Sequence, residues 1–381
     1  MTALNHKIDF ALVFTARNAN PNGDPLDGNR PRTTYDGMGE VSDVCLKRKI
    51  RNRLLDAGYA VFVQSDNRRV DECRSLKDRA EACPELKACM DAITSKKKAK
   101  DAPVPTRDDY AAIACKTWMD VRAFGQVFSF KKGGENDSIS IGIRGPVTIQ
   151  PAFSLAPVNI VSSQITKSVN LETGDDPDKK GADTMGMKHR VEFGVYKTSG
   201  SINVQTAQKT GFTEEDAEAI KEALRTLFRN DATSARPDGS MEVVQLVWWT
   251  HNCANGQYSS AKVHRSLRIS LGENGVPVVS VDESAIPGLA YEQIDGECRR
   301  FPDALRSQAL LLLPEALGVG AHRTAMAGKR SDCLRPSDAR ACARRELHRV
   351  ARERAALAWH AGALTGAAHH WRMRPSGAAS R

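Results

Sequence analysis

Four aspartates, Asp24, Asp27, Asp36 and Asp43, form the densest acidic set near the N-terminus, and they lie beside a run of cations. Clustered carboxylates can hold a divalent ion, and a carboxylate near a histidine can relay a proton. Either arrangement cuts a phosphodiester. The spacing argues against both. Asp24 and Asp27 alternate with Pro and Gly, where aspartate commonly serves its own turn. The histidines of the body, His6, His189, His251 and His264, fall in different elements. The nine cysteines include no CxxC or other close pair with metal-ligand spacing. No metal site, cofactor or catalytic residue is therefore expected. Cys45, Cys115 and Cys253 read as free thiols acting as small hydrophobes in a reduced, cytoplasmic compartment.

The cations suggest other chemistry. Lys47, Arg48, Lys49, Arg51 and Arg53 fill five of seven positions. Their mutual repulsion is offset if they meet a phosphate backbone, each contact releasing counterions; the plainer reading is a solvated helix face. In the preceding loop, Asn18, Asn20, Asn22 and Asn29 offer amides suited to sugar hydroxyls and base edges. Such a loop leading into a basic helix N-terminus is a reasonable seat for phosphate. The formal charge is +9, but residues 298–381 hold 16 Lys and Arg against 6 Asp and Glu. The rest, 39 against 40, is close to neutral, so a nucleic-acid surface must come from local patches.

Several elements must position these residues. Ile8 to Thr15 (IDFALVFT) is rich in β-formers and predicts a buried strand. A helix follows, capped by Ser42 or Asp43, with Leu46, Ile50 and Leu54 on one face. Tyr59 to Gln64 predicts a second strand. Residues 66–110 are polar and predict a helical insertion around Val70 to Met90, then the lysine run 96–100. Val121 to Phe130 and Ile139 to Gln150 predict strands joined by a turn at 133–137. Ser162 to Asn170 and Met187 to Tyr196 predict a long hairpin with a polar tip. Ser201 to Ala207 predicts a strand, and Thr213 to Phe228 a helix with Thr213 and Asp216 as a capping pair. Val243 to Thr250 and Lys262 to Leu271 predict two more strands. The order suggests an α+β, ferredoxin-like or RRM-like core with large insertions. No uninterrupted apolar run reaches about 18 residues, so no membrane span is expected. The N-terminus reads as a strand and not a signal peptide. Residues 298–381 lack Ile, Asn and Tyr, while Ala (19) and Arg (15) make up 34 of 84. They read as a disordered or artefactual extension, although Leu347 to Trp359 has the composition of an Ala-rich basic helix.

Seven blocks then occur together in order: NPNGDPLDGNRPR, VSDVCLKRKIRN, WMDVRAFGQVF, GIRGPVTIQPAFSLAPV, TMGMKH, FGVYKTSG and TGFTEEDAEAIKEAL. Together they closely resemble the backbone subunit of type I-C Cascade, the Csd-type CRISPR-associated family-seven protein of the RAMP superfamily. The resemblance runs from about Asp9 to about Leu271 and leaves the tail outside. It implies a domain over 1–297 with an RRM-related palm, a helical finger at about 66–110 and a β-hairpin thumb at about 162–196. The palm would comprise the strands around Ile8 to Thr15, Val121 to Phe130, Ile139 to Gln150 and Val243 to Thr250. It implies copies stacked head to tail on a CRISPR RNA, joined by other Cascade subunits. Each thumb would flip out one nucleotide, and the guide would be held for pairing with target DNA. Lys47, Lys49 and Arg51 become phosphate ligands, and Asn18, Asn20 and Asn22 ribose or base contacts. Met185 and Met187 become wedges between bases, with Lys188 and His189 beside them. Arg122 and Arg144 reach RNA from the palm, unless either pairs with a carboxylate.

Two other classes stay in view. Related subunits of type III complexes cut target RNA from an acidic loop residue, which makes Asp24 or Asp27 the position to examine for endoribonuclease activity. A stand-alone RRM-type regulator would instead stack bases on Phe10, Phe14, Phe128 or Phe130.

Overall fold

The computed structural model describes residues 2–94, 105–131, 138–166, 185–272 and 276–296. The lysine run 96–100, the turn 133–137, the hairpin tip 167–184 and the tail 298–381 lie outside the described residues.

In chain order, β1 (Ile8–Ala19) leads through β2 (Gly23–Asp24), β3 (Arg30–Pro31) and β4 (Met38–Val41) into α1 (Asp43–Asp56). Then come α2 (Leu76–Glu81), α3 (Pro84–Thr94), α4 (Arg107–Thr117) and α5 (Met119–Phe124). Strands β5 (Gly125–Lys131), β6 (Ser138–Arg144), β7 (Val147–Ile149), β8 (Ala152–Pro157), β9 (Ile160–Thr166) and β10 (Met185–Ile202) follow. Next are α6 (Val204–Thr210), α7 (Glu214–Arg225), β11 (Met241–Thr250), α8 (Ser260–Ser266), β12 (Leu267–Leu271), β13 (Pro277–Val281) and β14 (Ala290–Asp295). The result is a mixed α and β fold around one large antiparallel sheet in the order β14-β11-β1-β10-β8-β4.

Strand alternation divides the core in two. Phe10, Leu12 and Phe14 of β1 pack with Leu46, Ile50 and Leu54 of α1 and Ile220 and Leu224 of α7. Phe14 stacks on Tyr196 at 5.3 Å and Phe10 on Trp248 at 5.6 Å between ring centroids. Ala11 and Val13 point to the opposite face, against Trp249, Val263 and Leu267. A third cluster, Phe62, Tyr110, Trp118, Phe128 and Ile141, joins the helices after α1 to the β5–β6 hairpin. No helix among the described residues is long and apolar enough to cross a membrane.

Several predicted strands are corrected. Val121 to Phe130 begins as helix α5, and only from Gly125 does the chain extend. Asp120, in the first turn of α5, accepts the N–H groups of Phe62 (2.6 Å) and Val63 (3.1 Å) with its buried carboxylate. Tyr59 to Gln64 forms no strand. Strands β5 and β6 make their own two-stranded sheet and take no part in the large one, so of the Ile139 to Gln150 stretch only β7 reaches it. Ser201 to Ala207 is the end of β10 followed by α6, whose start Asn203 caps by accepting from the Thr206 N–H. Lys262 to Leu271 begins in α8, because Val263 is buried against the sheet at helical spacing. The helix after Thr213 carries the capping box that its sequence predicts.

Candidate nucleic-acid interface

The asparagine loop is wired to the helix behind it. The side-chain oxygen of Asn22 accepts from both the N–H and the hydroxyl of Ser42, each at 2.9 Å. Ser42 in turn caps α1 by accepting from the Cys45 N–H. Asn20 is buried and donates to the Asn29 carbonyl at 2.6 Å, closing the loop on itself. Asn20 and Asn22 therefore hold the loop's shape. Asn18 differs, standing exposed with φ +52° at the end of β1.

On α1 the basic residues separate by face. The core stripe runs Leu46, Lys49, Ile50, Arg53 and Leu54, the i, i+3, i+4, i+7, i+8 pattern of a buried helix face. Lys49 is consequently buried and ion-paired with Asp231. Burial pulls its pKa below the ordinary lysine value, and the Asp231 charge opposes that pull. Arg51 donates to Asp120 at 2.9 Å and lies over the Phe124 ring. Arg122 forms a two-pronged pair with Asp216 at 2.8 and 2.7 Å. Each of these three cations is thus ion-paired within the fold, and Lys49 is the most deeply buried of them. Lys47 is half-buried and paired with Asp43 one turn back. Arg144 is exposed, opposite Gly125 in the β5–β6 hairpin.

The cation that does face outward from α1 is Arg48. It lines a cavity of about 190 Å³ together with Arg68, Arg236, Asn52, Asn67 and Asn230. Asp231, in the same wall, neutralises Lys49 and also takes Arg236 at 3.2 Å. The remaining positive charge and the amides suit an anion. Nothing in the run Lys47 to Arg53 taken alone singles out Arg48. The period set by Leu46, Ile50 and Leu54 does, because it places Arg48 and Asn52 opposite the core.

The hairpin supplies the second half. β10 has 18 residues. Its stretch from Val191 to Ile202 pairs with β1, and Met185 to Val191 pairs with β9. Alternation puts Met185, Met187 and His189 on one face and Lys188 and Arg190 on the other. The two methionines are 64% and 54% exposed. Ser162 stands opposite His189 in the register, and its hydroxyl lies 2.8 Å from His189 Nδ1. From the start of β3, the Arg30 guanidinium donates to the same hydroxyl at 3.5 Å. One face thus gathers Arg30, Ser162, His189 and two exposed thioethers. Lys188, exposed on the opposite face, does not share it. The loop acids are engaged, Asp24 by Arg32 at 3.4 Å and by the Leu26 N–H, Asp27 by Arg30 at 3.8 Å. No group of three or more potential metal ligands occurs among the described residues.

Residues 6–287 match the family described as CRISPR-associated protein Cas7. A curated relative, the CRISPR-associated protein Cas7 of Haloferax volcanii, is 26% identical over 245 residues, 61% of this chain and 67% of the relative. Similar solved chains come from a CRISPR RNA-guided surveillance complex, pre-nicking, and from a CRISPR RNA-guided surveillance complex. The first has a TM-score of 0.36 at 17% identity and covers 64% of this chain and 75% of that one. The second has a TM-score of 0.39 at 13% identity and covers 81% and 100%.

Proposed function

Because the chain belongs to the CRISPR-associated Cas7 family, we propose that it is the CRISPR RNA-binding backbone subunit of a surveillance complex of type I-C. Copies follow one another head to tail along the guide, alongside other subunits of the complex, and hold the guide for pairing with target DNA. The large sheet serves as the RRM-like palm, the insertion at about 66–110 as the finger, and the hairpin at about 162–196 as the thumb. Met185 and Met187 wedge between bases, since a thioether separates a stack without demanding hydrogen bonds. Arg30, Arg48 and His189 take the phosphate and sugar contacts, with Asn18 at the loop's edge. The subunit performs no catalytic step and needs no cofactor, pairing reads the sequence and the protein reads the backbone.

The observation that carries this reading is the single surface shared by Arg30, Ser162, His189 and the two exposed methionines. It combines donors for an anionic backbone with an apolar wedge, and it stands on a rigid strand. The test is co-expression with a CRISPR array. The native chain should purify as multi-copy particles bearing RNA of one discrete length. Arg30→Glu combined with Arg48→Glu should release that RNA and leave the thermal unfolding unchanged. In direct titration with single-stranded RNA, losing two phosphate contacts should lower the salt slope by about 1.4. Native protein that emerges free of nucleic acid, even with its sister subunits present, would refute the assignment.

A further inference from the structure

A second concave surface opens at the root of the hairpin. Arg17 and Phe193 face each other across the β1–β10 pairing, and the Arg17 guanidinium carbon sits 4.6 Å from the Phe193 ring centroid. Arg17 is exposed and Phe193 half-buried. The groove they border has a volume of about 490 Å³. That falls within the roughly 300–1,000 Å³ of small-ligand sites. Thr15, Val244, Glu242 and Asp295 line it. Glu242 stands opposite Thr15 in the register, and Asp295 accepts from the Gln245 side chain at 3.3 Å.

We propose that this groove seats an unstacked nucleobase, with the Arg17–Phe193 pair as its stacking platform and Glu242 and Asp295 as acceptors for its edge. The proposal rests on the RNA-binding reading above and deepens it. A guanidinium backed by an aromatic ring offers a flat, polarisable plane, the surface on which proteins lay single-stranded bases. The two carboxylates narrow the choice of ligand. They repel phosphate, so the sugar–phosphate chain stays outside and only an uncharged ring enters. Their oxygens also accept from the amino and imino groups along a base edge. Phe193 lies six residues along β10 from Met187, about 20 Å of extended backbone, so the groove would take a base of its own. The Arg30 and Arg48 surfaces bind charge, whereas this one binds a ring.

The two kinds of contact separate in one experiment. The full chain is titrated with a short single-stranded RNA and with an abasic strand of equal length, which keeps every phosphate and lacks every base. The native chain should prefer the intact strand. Arg17→Gln with Phe193→Leu, which keeps the apolar volume and removes the platform, should shrink that preference roughly 5- to 150-fold. Its affinity for the abasic strand and its salt slope should not change. An undiminished preference in the variant overturns the proposal, as it would if the groove received a protein segment. Equal binding of both strands by the native chain overturns it too. If neither strand binds at all, the phosphate contacts have failed first, and the groove assignment falls with them.

Discussion

At the scale of single residues, the basic run of α1 shows how one charge type divides between buried pairing and exposure. Lys49 and Arg48 are adjacent and line one cavity, yet Lys49 is buried and ion-paired with Asp231 while Arg48 is exposed. Lys49→Ala leaves Asp231 short of its nearest partner and should cost about 3 kcal/mol of folding stability, read from the urea midpoint. Arg48→Ala should change stability by less than about 0.5 kcal/mol. An Arg48→Ala variant as unstable as Lys49→Ala would mean that the cavity is structural. The cations of this region were legible as a group, but their partners were not. Arg51 pairs with Asp120, 69 residues on, Arg122 with Asp216, 94 residues on, and Lys49 with Asp231, 182 residues on. Such pairings are products of the tertiary fold, and no local spacing encodes them. Asn20 and Asn22 were legible as loop residues, whereas their engagement with Asn29 and Ser42 depends on where the loop closes.

At the scale of elements, local signals succeeded where they were redundant. The four-residue recurrence of Leu46, Ile50 and Leu54 and the Thr213–Asp216 box each sit on helices that the structure contains. Failures came where short apolar runs suit either helix or strand. Met119, Val121 and Ala123 alternate in sequence like a strand, but they lie in helix α5, whose Asp120 carboxylate accepts from Phe62 and Val63. The hairpin was legible because a polar, turn-rich stretch of sequence, ETGDDPDKKGAD, separates its two strands. Its faces could be assigned only with the register in hand. That register predicts a clean separation of roles. Met185→Ala with Met187→Ala removes two exposed side chains that the fold does not bury, so thermal stability should hold within about 0.5 kcal/mol. RNA affinity should fall roughly 5- to 150-fold per occupied copy. The variant is to be compared with the native chain by calorimetry and by filter binding. Unchanged affinity would remove the wedge from the account.

At the scale of the whole molecule, charge and fold are distributed separately. The described fold closes with β14, which pairs with β11 from Ala290 to Asp295. Most of the net positive charge lies beyond it, in residues 298–381. A chain ending at Gly296 should unfold within about 2 °C of the full-length protein, and one ending at Pro287, which loses β14, should unfold more than about 5 °C lower. The Gly296 truncation should also bind arbitrary nucleic acid more weakly and with a smaller salt slope, and keep discrete-length RNA after co-expression with an array. If that RNA is lost, the recognition surface lies in the tail and not in the loop and hairpin.

The continuity of β10 has a mechanical meaning. Eighteen residues of extended backbone reach about 60 Å, and one end is anchored by β1 and flanked by the stacked Phe14 and Tyr196 rings. The other end bears the thioethers, with no joint among the described residues between anchor and tip. The reach of this strand past its pairing with β1 is counted in residues, six from Val191 to Met185, or about 20 Å.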